Sequence, residues 1–224
     1  MQRRTFLQAS ALSAGGLSTL AAGAPSGPLR VQVLMFDGVE EQDFIAPVEV
    51  FGVANFLGGT LTTTMVTTDR PGTVTCAYGT RVEVPNGWSP RDADVLVVPG
   101  GGYADPKLPG VYQVNDDKDF LRRLAEVDAL LVAICAGTMI LSAAGITKGR
   151  NATTHAAAKK ALADQGATVK DARVVDDGDL ITAGGITSGL DASLWVVERF
   201  LGAQLAQAVE HVMEYERRGT VWRA

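Results

Sequence analysis

Three short apolar runs in this chain each end in a turn of small residues: "PLRVQVLMF" from Pro28 to Phe36, "DADVLVVPGGGY", and "LLVAICAGTMIL", which begins at Leu130. Runs this short and this rich in Val and Leu read as buried strands. Helical patterns stand between them. "DFIAPVEVFGVANFL" places Phe44, Val48, Phe51, Val53 and Leu57 near helical spacing, with Asp43 positioned to cap and Pro47 in an early turn that tolerates proline. "DDKDFLRRLAEV" is amphipathic, with acidic residues at its start. Strands alternating with helices predict an α/β fold: a mostly parallel sheet with helices on both faces. Ligands on such sheets sit beyond the carboxyl ends of the strands. The loops after Phe36, after Val98 and at Cys135 therefore share one edge.

The remaining segments fit this plan. "TLTTTMVTT" is a β-branched strand, and "TVTCAYGTRVEV" is two short strands around Tyr78-Gly79. The helix after Cys135 runs to about Ala144. "ATTHAAAKKALADQG" reads as a small-residue helix ending at Gly166. "ARVVDDGDLITAGG" reads as a hairpin turning at Asp177-Gly178. "ITSGLDASLWVVERFLG" is a strongly apolar helix, and "AQLAQAVEHVMEYERR" is an amphipathic one that closes the chain.

The first residues stand apart. Arg3 and Arg4 precede an uncharged stretch that ends at Ala22-Gly23-Ala24, a small-x-small site. This order is that of a Tat export signal over residues 1–24, with the folded domain in residues 25–224. The expected location is periplasmic or extracellular. The stretch is too short and too rich in Gly and Ser to span a bilayer, so no stable membrane anchor is expected after its removal. Without Arg3 and Arg4 the net charge moves from -5 to about -7. An acidic chain lacking clustered Lys and Arg argues against nucleic acid as a partner.

A cysteine between a strand and a helix, followed by Ala136 and Gly137, has the pattern of a nucleophile elbow. Small neighbours let strand and helix approach, and a helix N-terminus favours a thiolate. The plain alternative is an inert buried cysteine, since free Cys packs like a small hydrophobe. "VVPGGG", from Val97 to Gly102, supplies a second signal: backbone N–H groups unencumbered by side chains, able to approach a developing anion.

Taken with "DFIAPVEVFG", "AICAGTMILSAAGI", "ATTH" and "LITAGGITSGLD", these motifs resemble the ThiJ/PfpI superfamily (class I glutamine amidotransferase-like), and most closely its isonitrile hydratase branch. The resemblance spans roughly Leu29 to Leu201. It implies a flavodoxin-like three-layer sandwich, no cofactor, a small-molecule substrate and a homodimer. Carried over by motif, it implies Cys135 as nucleophile and Asp43 as the acid beside it. Gly101 and Ala136 fall on the oxyanion side, and Gly185 and Ile186 in the loop whose backbone leans on the thiolate. Two departures matter. Peptidase- and glyoxalase-like members carry His directly after the cysteine, and isonitrile hydratases often carry Thr; here Ala136 stands there.

Of the two histidines, His155 is either a site-lining group or a helix-start residue bonded to a neighbouring turn. His211 lies on the closing helix. Two histidines so spaced make no metal pattern. Tyr103 and Trp88 are candidate pocket aromatics, and Glu40 and Glu41 are expected to be solvated. Cys76 falls in the predicted hairpin, too far from the elbow for a disulfide. The expected function is a cysteine-dependent lyase or hydrolase, of which isonitrile hydration is the leading form. A non-catalytic small-molecule or redox sensor and a glyoxalase- or deglycase-like activity are its rivals.

Overall fold

In a computed structural model the chain is described from residue 27 to residue 224. The export signal expected over residues 1–24 lies outside the described residues.

The apolar runs form the middle of a seven-stranded sheet. Strands β1 (Leu29–Met35), β2 (Leu61–Thr67), β5 (Val95–Val98), β6 (Leu130–Ile134) and β10 (Leu180–Ala183) run parallel. Strand β9 (Val174–Asp176) is antiparallel to β10, and β11 (Trp222–Arg223) lies parallel to β9, giving the order β11-β9-β10-β6-β5-β1-β2. Every residue of β5, β6 and β10 is buried. Strands covered on both faces have no solvent side to keep polar, which is why they read as continuous apolar runs rather than alternating ones.

Helices supply the covers. α1 (Glu41–Phe56), α6 (Ser188–Leu201) and α7 (Ala203–Val212) pack together. α2 (Val111–Asp116), α3 (Lys118–Ala125), α4 (Gly137–Ala143) and α5 (Lys159–Asp164) form a second group. Phe51 from the first group and Phe120 from the second are both fully buried. Burying a side chain of that size contributes about 1.5–3 kcal/mol. The expected α/β sandwich with a mostly parallel sheet is thus the fold observed.

Several local expectations differ. α1 begins at Glu41, and its cap is Glu40, not Asp43: Glu40 Oε2 accepts the Asp43 N–H at 3.0 Å. The segment read as one helix after "ATTH" is divided. Strand β7 (Asn151–Ala152) pairs with β8 (Thr168–Val169), and a single 3-10 turn (Ala156–Ala158) precedes the short α5. The acidic start of α3 is as expected, with Asp117 Oδ1 accepting the Phe120 N–H at 2.9 Å. The chain does not close on its last helix, because the segment after it returns to the sheet edge as β11.

The hairpin of β3 (Gly72–Thr75) and β4 (Arg81–Val84) stands outside the main sheet. It is tied to the turn before α1. Asp37 accepts the Thr75 N–H at 2.8 Å, and Glu41 accepts the Tyr78 N–H at 3.0 Å. Glu41 is therefore a link between two loops rather than a solvated charge.

Candidate active site

Cys135 lies between β6 and α4 in a left-handed backbone conformation, φ +57°. Such a conformation in a non-glycine residue costs about 1–3 kcal/mol and persists only where the surroundings over-determine it. They do so here. The Cys135 N–H is shared between the carbonyls of Ala183 at 3.2 Å and Gly184 at 3.0 Å. Its own carbonyl accepts Thr154 Oγ1 at 2.8 Å. Gly137 explains the small residues of the turn. A Cβ there would stand 2.0 Å from the Val98 carbonyl oxygen and 2.7 Å from that of Pro99, so only glycine lets α4 start against the end of β5.

Asp43 arrives from the first turn of α1. With Glu40 capping the helix, its carboxyl group is free to point inward, where it is fully buried. Oδ2 accepts the Gly100 N–H at 2.9 Å. Oδ1 completes no hydrogen bond, and the Cys135 thiol faces this carboxyl group. Burial pushes the Asp43 pKa well above the ordinary carboxylate value, and the charge of Glu40 adds to the push. The Gly100 N–H and the thiol oppose it.

Cys135 itself departs from the low pKa expected of an elbow. Burial first, then the Asp43 carboxylate, pushes the thiol up to about 12, against the pull of the Ile186 and Ala136 N–H groups. Desolvation outweighs two backbone donors and a seven-residue helix. Each of these two neighbouring acids therefore resists ionisation.

The glycine loop after β5 packs closely against two neighbouring segments. Gly101 has φ +140°, and a Cβ there would meet Gly38 O at 2.1 Å and Glu40 N at 2.6 Å. Its bareness serves the packing of the turn before α1. Gly100 is the residue at the site. A Cβ on it would lie 2.6 Å from Ala136 N, 3.0 Å from Asp43 Oδ2 and 3.1 Å from Gly137 N. Its bare α-carbon lets the loop pack directly against the start of α4 and the Asp43 carboxyl group. The run of three glycines in "VVPGGG" was the signal for it, without saying which one.

Gly185 and Ile186 are at the site as expected. Ile186 holds φ +51°, and its N–H lies toward the sulfur. His155 follows the plainer reading: Nδ1 accepts the Ala157 N–H at 3.2 Å and caps the 3-10 turn. Its ring also lies against Gly185, in the loop that carries Ile186. Trp88 is no pocket residue. It is buried in the core, edge-on to Phe120 at 5.1 Å with the Arg123 guanidinium over it. Tyr103 stacks on Tyr112 at 5.3 Å. Glu40, expected to be solvated, is half-buried and raises the pKa of both Asp43 and Cys135. Cys76 is a buried free thiol, pushed up to about 11 by burial and then by Glu41 and Asp37. Among the described residues no three His, Cys, Asp or Glu side chains converge as a metal site would.

A buried thiol on a strand-to-helix turn, faced by a buried carboxyl group at the carboxyl edge of a parallel sheet, defines a cysteine-centred α/β sandwich protein. The chain belongs to the DJ-1/PfpI family, whose profile matches residues 29–199. It is 38% identical over 122 residues to an isonitrile hydratase of Pseudomonas putida, an alignment covering 54% of this chain and 52% of that protein. The chain thus spans about half the length of that relative. It is 31% identical over 188 residues to the Parkinson disease protein 7 homolog of Danio rerio, covering 81% of this chain and 94% of that one. Among solved structures, a ThiJ/PfpI family protein from Pseudomonas syringae superposes with a TM-score of 0.74 at 28% identity, covering 93% of this chain and 84% of that one. Relatives in this family carry names as different as isonitrile hydratase and deglycase. Membership supports an enzyme and leaves the reaction to the residues at the site.

Proposed function

We propose that this protein is a cysteine-dependent enzyme that hydrates small isonitriles to N-substituted formamides. One observation carries the reading: the buried Asp43 carboxyl group faces the Cys135 thiol while residue 136, beside the sulfur, is an alanine. The acid–base partner of the thiol is then a carboxylic acid and not an imidazole. This suits a reaction that begins by protonating carbon.

The reactive form of the pair is thiolate with protonated Asp43. The sulfur attacks the terminal isonitrile carbon, forming the C–S bond, and Asp43 delivers its proton to the same carbon. The product is a thioimidate on Cys135 beside an Asp43 carboxylate. The carboxylate takes a proton from water as the hydroxyl adds to carbon, and passes that proton to nitrogen. The C–S bond then breaks, the hydroxyl proton returns to Asp43, and the formamide leaves with both groups restored. Covalent catalysis divides one difficult hydration into two easier steps. The raised pKa of Asp43 suits it to hold a proton and return it.

The test is a panel of alkyl and aryl isonitriles followed by formamide detection and intact-protein mass spectrometry. Formamide release with a transient substrate-mass adduct on Cys135 is expected of the wild type, and both should be lost in Asp43→Asn and Cys135→Ala. Neither product nor adduct across the panel would overturn the reading. A second reading, a non-catalytic small-molecule or redox sensor on the same fold, would show in the same panel as saturable binding without turnover. The glyoxalase- or deglycase-like reading is weakened by Ala136, which stands where the resemblance puts a histidine in such members. We further propose that the protein is exported and works as a homodimer, with the exposed Ile45 and Tyr78 near the site available to a second copy.

A further inference from the structure

Ile186 keeps a left-handed backbone although it is β-branched, a combination that the bare chain avoids. The turn that carries it is held on three sides. The His155 ring lies against Gly185. Ser188 donates to the Gly185 carbonyl from both its N–H and its Oγ, each at 3.2 Å. From the third side comes Arg173, at the start of β9. Its carbonyl accepts the Gly184 N–H at 2.9 Å. Its Nη2 donates to Thr187 Oγ1 at 3.0 Å. Its Nε donates to Asp191 Oδ2 at 2.5 Å.

Asp191 fixes the guanidinium. It is 3% exposed, and it also accepts Tyr215 Oη at 2.9 Å and the Arg218 N–H at 2.7 Å. A buried carboxylate committed to three donors leaves its arginine little freedom. Arg173 therefore grips the chain on both sides of Ile186, at Gly184 before it and at Thr187 after it.

We infer that Arg173 is a positioning residue for the Cys135 site: it clamps the 184–187 turn so that the Ile186 N–H stays aimed at the sulfur. This rests on the proposed role of Cys135 as nucleophile. Its test, however, needs no substrate. Nor does it require removing Arg173, which would strand Asp191 buried and unpaired.

The full chain is labelled with iodoacetamide across pH, and the extent at Cys135 is read by peptide mass spectrometry alongside the melting temperature. Thr187→Val removes only the acceptor for Nη2 and keeps the arginine charge. Arg173→Lys keeps the charge and the pairing with Asp191 but loses the second arm. Both should slow Cys135 labelling about threefold at a fixed pH below the midpoint, as half a pKa unit would. Thr187→Ser keeps the hydroxyl and should label like the wild type. The sign separates the clamp from mere destabilisation, because a loosened fold exposes the thiol and labels faster. Unchanged or faster labelling in Thr187→Val or Arg173→Lys, or equal slowing in Thr187→Ser, would overturn the inference. Slowed labelling in Thr187→Val and Arg173→Lys, unchanged labelling in Thr187→Ser and no isonitrile turnover by the wild type would instead remove the proposed reaction and leave the clamp standing.

Discussion

Asp43 Oδ2 accepts the Gly100 N–H at 2.9 Å across 57 residues of sequence. That bond pins one oxygen of a fully buried carboxyl group, which the Cys135 thiol faces, to the loop after β5. It separates the chemistry of Asp43 from the stability of α1, whose cap is Glu40.

Asp43→Asn should therefore stay folded and lose turnover by about 10²- to 10⁴-fold, the usual worth of a positioned proton donor. Glu40→Ala, by contrast, should lower stability by about 1 kcal/mol through loss of the cap. Steady-state rates and chemical denaturation of both variants check the division. An Asp43→Asn enzyme with near-full activity would send the search for the general acid elsewhere, with His155 next.

The raised Asp43 pKa predicts a pH dependence of stability. In the folded state the group holds its proton to higher pH than in the unfolded chain. Its contribution is fully present below about pH 4, the unfolded value, and is lost as pH rises through the folded pKa. Asn mimics the protonated form at every pH. Asp43→Asn should match the wild type in acid and become the more stable of the two as pH rises, which melting curves across pH would show.

The thiol should respond to the same substitution. The Asp43 carboxylate is the second cause, after burial, of the raised Cys135 pKa, so removing it should bring the labelling midpoint down. Cys76 owes its raised value to burial, Glu41 and Asp37, and its midpoint should not move. Site-resolved alkylation across pH measures both; a Cys135 midpoint that stays put in Asp43→Asn contradicts the pairing.

Two glycines near the site should fail in different ways. Gly137→Ala puts a methyl group 2.0 Å from a backbone oxygen, and nothing there is a flexible side chain. Overpacking of that kind costs about 1–3 kcal/mol or more, so the melting temperature should fall. Gly100→Ala crowds the Ala136 N–H and the Asp43 carboxyl group instead. The nearest of these atoms is backbone, 2.6 Å away, so stability should fall along with activity, and a well-folded, fully active Gly100→Ala protein would show that this close packing is not needed.

Ile45 and Tyr78 are 45% and 78% exposed, one on α1 and the other on the hairpin docked against the start of that helix. The proposed homodimer would cover such a surface. Light scattering of the chain from Pro25 onward should give twice the protomer mass at micromolar concentration, and a monomer there would contradict it.

The parallel sheet was legible from local pattern alone. Short runs such as "VLVV" and "LLVAI" are continuously apolar because both faces of each strand are covered, and that demand is written residue by residue. Cys135 was legible for a related reason: a strand that turns at once into a helix needs small residues, and Ala136 and Gly137 follow it. The tertiary structure alone decided which acid caps α1 and which turns inward, since Glu40 and Asp43 differ only in what they meet across the fold. It also decided that the Gly100 N–H holds the Asp43 carboxyl group, that Trp88 belongs to the core, and that the chain end returns as β11. The direction of the Cys135 pKa belongs to this second group. A helix N-terminus is visible in sequence and lowers a thiol pKa, but burial and a carboxylate from a distant helix raise it further, and both exist only once the chain has folded.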